Sequence, residues 1–466
     1  MTQTLIIDEV LIQRYDQTGP RYTSYPTAVQ FHSEFNHHRY AQWLKATNDD
    51  PIPPPLSLYV HLPFCDTVCY YCACNKVITR NHQRAQPYLD HLYQEMAAQA
   101  QRIDSDRKVV QLHLGGGTPT FLSAEQLSQL MLQIRRYFNL DSTGDYSIEV
   151  DPRRIGVDLI QQLRELGFNR MSLGVQDFDP AVQQAVNRIQ SKEETLAVLN
   201  AAKQAGFRSI NLDLIYGLPR QTVASFMRTL DTVIAANPDR LSLFNYAHLP
   251  HLFKTQQQIK TEELPSASEK LAILKGSIER LTAAGYEFVG MDHFAKPDDE
   301  LVSAQQNGSL YRNFQGYSTH ANCDLIGLGA SAIGKVGDTY SQNPRTLEDY
   351  YAAVKAHGIA VFRGIELSFD DLVRREVISQ LMCHFRLDFT AIAAEFRMDF
   401  KTYFAKELAR LQILQQDGLI ELDSERLRVL PRGRLLIRNV AMVFDRYLQQ
   451  SAVTGQSPNP RFSRLI

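Results

Sequence analysis

Residues 65–74 read CDTVCYYCAC, which places four of the chain's six cysteines within ten positions. Their spacing is C-x3-C-x2-C-x-C, through Cys65, Cys69, Cys72 and Cys74. Under a reducing poise, thiols gathered on one loop bind metal or react more often than they form disulfides. A structural zinc site ordinarily draws a second pair of ligands from a dozen or more residues away, and no such pair follows. A compact loop of thiolates suits an iron–sulfur cluster. A zinc knuckle using all four thiols stays as the alternative. Cys323 and Cys383 are sixty residues apart and far from the loop, and read as buried bystanders.

Other polar residues recur where apolar runs end. GGGTP at 115–119 closes one run and opens a helix. Such a turn lets backbone approach a ligand closely, and a helix N-terminus favours a carboxylate. Glu149 and Asp151 end the next run, Gln176 the one after, and Asp213 the fifth. Each alone is equally well explained as a cap or a loop-fixing group. Together on one rim they supply hydrogen bonds and countercharge to a polar ligand.

A scaffold must bring those ends to one rim. Strand-type runs fall at 56–64, 109–117, 146–152, 170–176, 209–217, 240–248 and 286–294, with helix-type segments between them. One helix starts at Ser123, with Gln126 placed to close a capping box and Leu127, Leu130, Met131, Ile134 and Phe138 on one face. Leu271, Leu274, Ile278 and Leu281 form a similar stripe. The junctions ELGFNRMSLGV, QAGFRSINLDL and AAGYEFVGM repeat a glycine, an aromatic and a strand, about 40 residues apart or twice that. Strands alternating with helices predict an α/β fold with a parallel sheet. Six or seven units point to a full or partial (β/α) barrel, with a doubly wound open sheet as the alternative.

Outside that rhythm lie an arm and linker over 1–55, with PRYTSYPTA and DDPIPPP, and a small, mainly helical C-terminal domain over 359–466. The latter includes LIELDSERLRVL, which reads as a hairpin between helices. The barrel core is expected over 56–358. A net charge of −2 across 466 residues gives no bulk attraction to nucleic acid. No stretch reaches the roughly 20 apolar residues that span a bilayer, and LLIRNVAMVF is cut by Arg438. The N-terminus lacks a secretory pattern. A cytoplasmic protein without nucleic-acid or membrane partners is expected.

The cysteine spacing C-x3-C-x2-C resembles that of the radical S-adenosylmethionine (SAM) enzymes. The resemblance implies that Cys65, Cys69 and Cys72 hold a [4Fe-4S] cluster, with Cys74 a neighbour and one iron left for SAM. The further series YVHLPFC, CYYCACNK, LGGGTPT, IEVDPR, GVQDF, VNR, DLIYGLP, FNYAHLP, MDHFAKPDDEL and NFQGYST, with the arm PRYTSYPTA, is narrower. It resembles the bacterial oxygen-independent coproporphyrinogen III oxidase family over essentially the whole chain. That resemblance implies oxidative decarboxylation of two propionates of coproporphyrinogen III to the vinyls of protoporphyrinogen IX. It implies one [4Fe-4S] cluster, two SAM molecules, an electron donor and an electron acceptor of unidentified kind, and a monomer.

Motif by motif, the resemblance assigns SAM contacts to Tyr59, Tyr71, Gly116, Gly117, Thr118, Glu149, Gln176, Arg188, Asp213, Ala247 and Ile333. Phe314, Gln315 and Arg21 fall where the family handles substrate or closes the site, and Arg21 and Arg188 are the cations expected to meet a tetra-acid. Leu114 stands where an aromatic is expected, Ala73 where glycine is frequent, and His320 and Cys323 match no family feature. Related haem-binding chaperones share the barrel and the cysteine triad. They typically carry phenylalanine at the position of Cys74 and lack the arm, so the oxidase reading is preferred. An RNA-modifying methylthiotransferase would need a second cysteine triad, which Cys323 and Cys383 cannot supply.

Overall fold

Alternation of apolar and small polar residues builds the sheet. In β4 (Arg170–Gln176) Met171, Leu173 and Val175 are buried under helices, while Arg170, Ser172, Gly174 and Gln176 face the other way. The same two-residue period organises β5 (Ser209–Tyr216). The structure, a computed structural model, describes residues 5–153 and 155–453.

Twelve strands share one sheet. Besides β4 and β5 they are β1 (Leu56–Leu62), β2 (Lys108–Gly116), β3 (Asn139–Val150), β6 (Arg240–Asn245), β7 (Glu287–Gly290), β8 (His293–Ala295), β9 (Asp324–Leu328), β10 (Ile333–Val336), β11 (Thr339–Gln342) and β12 (Arg363–Glu366). The spatial order is β12-β11-β10-β9-β1-β2-β3-β4-β5-β6-β8-β7. From β9 to β6 every neighbouring pair is parallel. Strands β1 to β6 lie side by side in chain order, with none of the order reversal that marks a doubly wound sheet. The result is a partial barrel.

Two sequence expectations are corrected here. The run at 286–294 is not a parallel strand: it folds back as the antiparallel pair β7 and β8, with β8 antiparallel to β6. Gly290 (φ 153°) and Met291 (φ 51°) take left-handed backbone that turns the chain in mid-run. The parallel neighbour of β1 on its other side is β9, from the unassigned stretch DLIGL.

The helix 124–137 carries the expected capping box of Ser123 and Gln126, and Leu127, Leu130, Met131 and Ile134 are fully buried. Gly167, Gly206 and Gly285 all have positive φ just past a helix, where a side chain would be strained. After β12, which lies beyond residue 358, the chain is mainly helical. It includes a three-stranded sheet whose hairpin joins Ile420–Leu422 to Arg426–Val429. The N-terminal arm contains helices at Glu9–Tyr15 and His37–Asn48. Its buried Tyr22 donates to Asp445 at 2.8 Å, and Arg446 N–H donates to the Tyr25 hydroxyl at 3.2 Å, so the arm is fastened to the C-terminal helices. No helix among the described residues is long and apolar enough to cross a membrane.

Arg107 ties the linker to the sheet. Its guanidinium donates to Asp324 at 2.6 Å in a fully buried pair, and to the Pro54 carbonyl at 2.7 Å and Asn48 at 3.0 Å in half-buried bonds. Removing one partner of a buried pair strands the other charge. Arg107→Ala is expected to cost about 3–5 kcal/mol, read as a lowered urea midpoint; an unchanged midpoint would show that this junction does not stabilise the fold.

Candidate active site

Beyond β1, Pro63 and Phe64 lead into the cysteine loop. Residues Phe64–Cys65 pair in parallel with Val77–Ile78, so the loop leaves and returns at one place. Val77 N–H donates to the Pro63 carbonyl at 2.7 Å, and Thr79 N–H to that of Cys65 at 2.9 Å. Within the loop, Lys76 Nζ donates to the Cys72 carbonyl at 2.8 Å and Asn187 to that of Val68 at 2.8 Å. Gln256 Nε2 donates to the carbonyls of Tyr71 (3.0 Å) and Ala247 (3.1 Å), joining the segment after β6 to the loop.

The glycine turn is locked to the same stretch. Gly117 N–H donates to the Leu62 carbonyl at 2.8 Å, and Thr118 N–H to that of Phe64 at 2.8 Å. A Cβ on Gly117 would lie 2.6 Å from the Pro63 carbonyl carbon, and one on Gly116 (φ 113°) 2.5 Å from the His61 ring. Only glycine fits both positions.

All four loop cysteines line one cleft of about 870 Å³. Thr118 Oγ1 donates to Cys65 Sγ at 3.5 Å; Arg188 and Arg153 donate to Cys69 Sγ at 3.6 and 3.8 Å. Burial pushes the Cys65 thiol up to about 11, whereas the hydrogen bond from Cys74, aided by Lys76, pulls Cys72 down to about 6. Three thiols on one backbone-fixed loop, with hydroxyl and guanidinium donors aimed at two of the sulfurs, fit thiolate ligation of an iron–sulfur cluster.

Tyr71, Gly116, Gly117, Thr118, Glu149, Gln176, Arg188 and Asp213 line the same cleft. Burial favours protonated Glu149, but donation from His113 (3.2 Å) and Gly116 N–H (3.1 Å) holds its carboxyl below the usual range. Asp151 is likewise raised by burial and then brought below its ordinary value by Arg188 and Arg153. Asp213 is pushed up by burial, although Ser172 and Asn211 donate to it at 2.8 and 2.7 Å. The rim thus holds two stabilised carboxylates and a third poised toward protonation.

The remaining assigned residues lie elsewhere. Tyr59 is deeper in the barrel, stacked on His113 at 5.8 Å, and its hydroxyl bonds His61 at 3.0 Å. Ala247 reaches the site through Gln256. Ile333 and Phe314 pack with Phe31, Tyr340 and Ile365, and Phe314 lines a separate small cavity with Lys335 and Cys323. Arg21 pairs with Asp292 and lies 5.9 Å from the ring of Phe244, which lines the cleft. Gln315 sits on the turn between residues 313 and 316, its amide atoms buried without partners. His320 pairs with Asp145 at 2.9 Å, and Cys323 is buried. The residues unassigned from sequence are Arg153, His113 and Gln256. Arg153 was signalled by its place two residues after Asp151; the other two become visible only through their partners.

Residues 59–233 match the radical SAM superfamily, and 367–436 match the HemN C-terminal domain. With a partial parallel barrel and a three-cysteine loop at the mouth of its first strand, the protein is a radical SAM enzyme, with a [4Fe-4S] cluster and SAM as cofactors. It is 53% identical over 468 residues to an oxygen-independent coproporphyrinogen III oxidase of Pseudomonas aeruginosa, across all of both chains. The Escherichia coli protein of that name is 50% identical over 459 residues, covering 98% of each chain. A solved structure of coproporphyrinogen III oxidase (HemN) from Escherichia coli, described as a radical SAM enzyme, superposes with a TM-score of 0.91 at 49% identity, across 96% of this chain and all of that one. The chain belongs to the oxygen-independent coproporphyrinogen III oxidase family.

The locked turn gives a test. Gly117→Ala must displace the backbone that presents Cys65, so iron retained after anaerobic reconstitution is expected to fall several-fold while far-UV circular dichroism is unchanged. Full iron occupancy would show that the turn does not set the loop.

Proposed function

We propose that this protein converts two propionate side chains of coproporphyrinogen III to vinyl groups by radical-mediated oxidative decarboxylation, giving protoporphyrinogen IX. The observation that carries the reading is that three cysteines and the polar ends of β2 to β5 open on one cleft, in a chain homologous to oxidases of that name along its whole length. When bound, the cluster and SAM supply a 5′-deoxyadenosyl radical able to take hydrogen from an unactivated carbon.

The protein's own work is to hold, orient and shield. Cys65, Cys69 and Cys72 are the cluster ligands on this reading. The backbone of Gly116 and Gly117 and the carboxylates of Glu149 and Asp213 receive polar groups of SAM; Tyr71, Thr118, Gln176 and Arg188 complete its surroundings. Arg188 also offsets negative charge at Cys69 and Asp151, to which it donates at 3.6 and 3.3 Å. Tyr59 stiffens the floor through His113, and Ala247 is set by Gln256. Ile333 is a further SAM contact on this reading, and Phe314, Gln315 and Arg21 handle the substrate or close the site. Arg21 joins the arm to Asp292 and to Phe244 at the cleft.

Each propionate loses one hydrogen atom and carbon dioxide, and an electron leaves to an acceptor. A separate donor must reduce the cluster. Donor and acceptor are of unidentified kind, and the enzyme works as a cytoplasmic monomer. A haem-carrying role is not favoured, since the full-length relatives carry the oxidase name.

The experiment is an anaerobic assay with SAM, reductant, cell extract and coproporphyrinogen III, scored for vinyl product. Cys65→Ala is expected to lose both iron and turnover; turnover by that variant would refute the assignment. Cys74→Ala, which removes the exposed fourth thiol, is expected to keep its iron. Loss of iron equal to that of the Cys65 variant would make Cys74 a ligand instead.

A further inference from the structure

Most arginines around the barrel interior are matched by carboxylates of the chain itself. Arg188 and Arg153 share Asp151, Arg170 takes Asp145 and Glu300, Arg240 takes Asp299 and Glu300, and Arg21 takes Asp292. Arg312 is different. It is 7% exposed, on the short hairpin that pairs Tyr311–Asn313 with Gly316–Ser318. Its Nε and Nη1 are buried with no hydrogen-bond partner, and no described carboxylate lies within ion-pairing distance of it. A buried guanidinium in that state is costly unless something anionic completes it.

Its surroundings lead toward the cleft. The guanidinium lies 4.8 Å from the ring centre of Tyr317. Tyr317 stands edge-on to His293 at 5.3 Å, and His293 edge-on to Phe244 at 6.1 Å. Phe244 lines the cysteine cleft and carries Arg21 over its ring. Two further groups here lack partners: Nδ1 of His293 and both amide atoms of Gln315. Several cations gather along this stretch. Burial, with Arg438 and Arg312 nearby, brings Arg21 down to about 9, and burial with Arg312, Arg21 and Arg240 brings His293 down to about 3. His293 is therefore neutral at physiological pH, and Arg312 supplies the charge.

We infer that Arg312, with Gln315 on the turn of the same hairpin, is the seat of a substrate propionate carboxylate. A planar guanidinium with free N–H groups matches a carboxylate in two parallel hydrogen bonds, which a lysine cannot reproduce. The inference rests on the proposed tetra-carboxylate substrate and names the residue that reads one of its acids. It also reassigns the part expected of Arg188, whose guanidinium is committed to Asp151 and Cys69. The methionyl carboxylate of SAM has the same chemistry, and the test separates the two.

Steady-state kinetics of the reconstituted full-length Arg312→Gln enzyme should show KM for coproporphyrinogen III raised about ten- to a hundredfold, as for a lost charged hydrogen bond. KM for SAM and iron content should match wild type. The ligand-free variant should melt within a few degrees of wild type, because the only partner it loses within the described chain is Tyr317. Unchanged KM for the porphyrinogen overturns the inference, as does a lower melting point without a KM effect; a rise confined to SAM assigns the seat to the methionyl group and overturns it too. Should the glutamine variant fail to fold, Arg312→Lys carries the test: a several-fold rise in porphyrinogen KM supports the seat and an unaltered KM removes it. Wild-type enzyme that cleaves SAM but leaves coproporphyrinogen III unchanged would instead sink the functional reading itself.

Discussion

A loop whose thiols are proposed to hold a cluster is best prepared for it when its position is fixed by bonds of the chain itself. Backbone hydrogen bonds do this here. Phe64 and Cys65 are clamped between Val77–Thr79 on one side and the Gly117–Thr118 turn on the other. Backbone donors fix position without side-chain freedom, and the two glycines let the strands approach closer than any Cβ permits. The sheet follows from that need, since β1 and β2 must lie adjacent and parallel for their ends to meet.

Around this point the barrel interior is polar, unlike the side-chain-filled interior of a closed eight-stranded barrel. Ser172, Asn211, Asp213 and Ser242 satisfy one another across β4, β5 and β6. Tyr59, His61 and His113 form a layer beneath Glu149. Glu149 and Asp151 each have a cation or N–H at hand, so their negative charge survives where burial alone would remove it, whereas Asp213 stays raised. A site prepared in this way can take a charged nucleotide with little rearrangement, and the hydrophobic shell of helices outside pays for its polarity.

The barrel was legible because its strands alternate cleanly and its helices end on glycine. Runs such as RMSLGVQ and SINLDLIY keep a two-residue period, and Ser123 with Gln126 announces a helix start unaided. The turn inside YEFVGMDHF was not legible, because the left-handed backbone falls on Met291, a residue that rarely adopts it. The strand β9 is a short, fully buried apolar run without alternation, which no period distinguishes from a loop or helix fragment. Likewise β12 was not separable from the C-terminal segment, because a four-residue edge strand carries little pattern. In the site, cysteines and glycines announce themselves by spacing. Arg312 does not: its significance is an absence of partners, and absence has no sequence signature.

The central claim is that the loop leaves one corner of a cubane free of protein sulfur. Mössbauer spectroscopy of anaerobically reconstituted, isotopically enriched enzyme, recorded with and without SAM, tests it most directly. The account predicts a [4Fe-4S] signal in which a single iron site changes its parameters when SAM is added. A spectrum without a cubane, or one in which all irons stay equivalent in the presence of SAM, would contradict it.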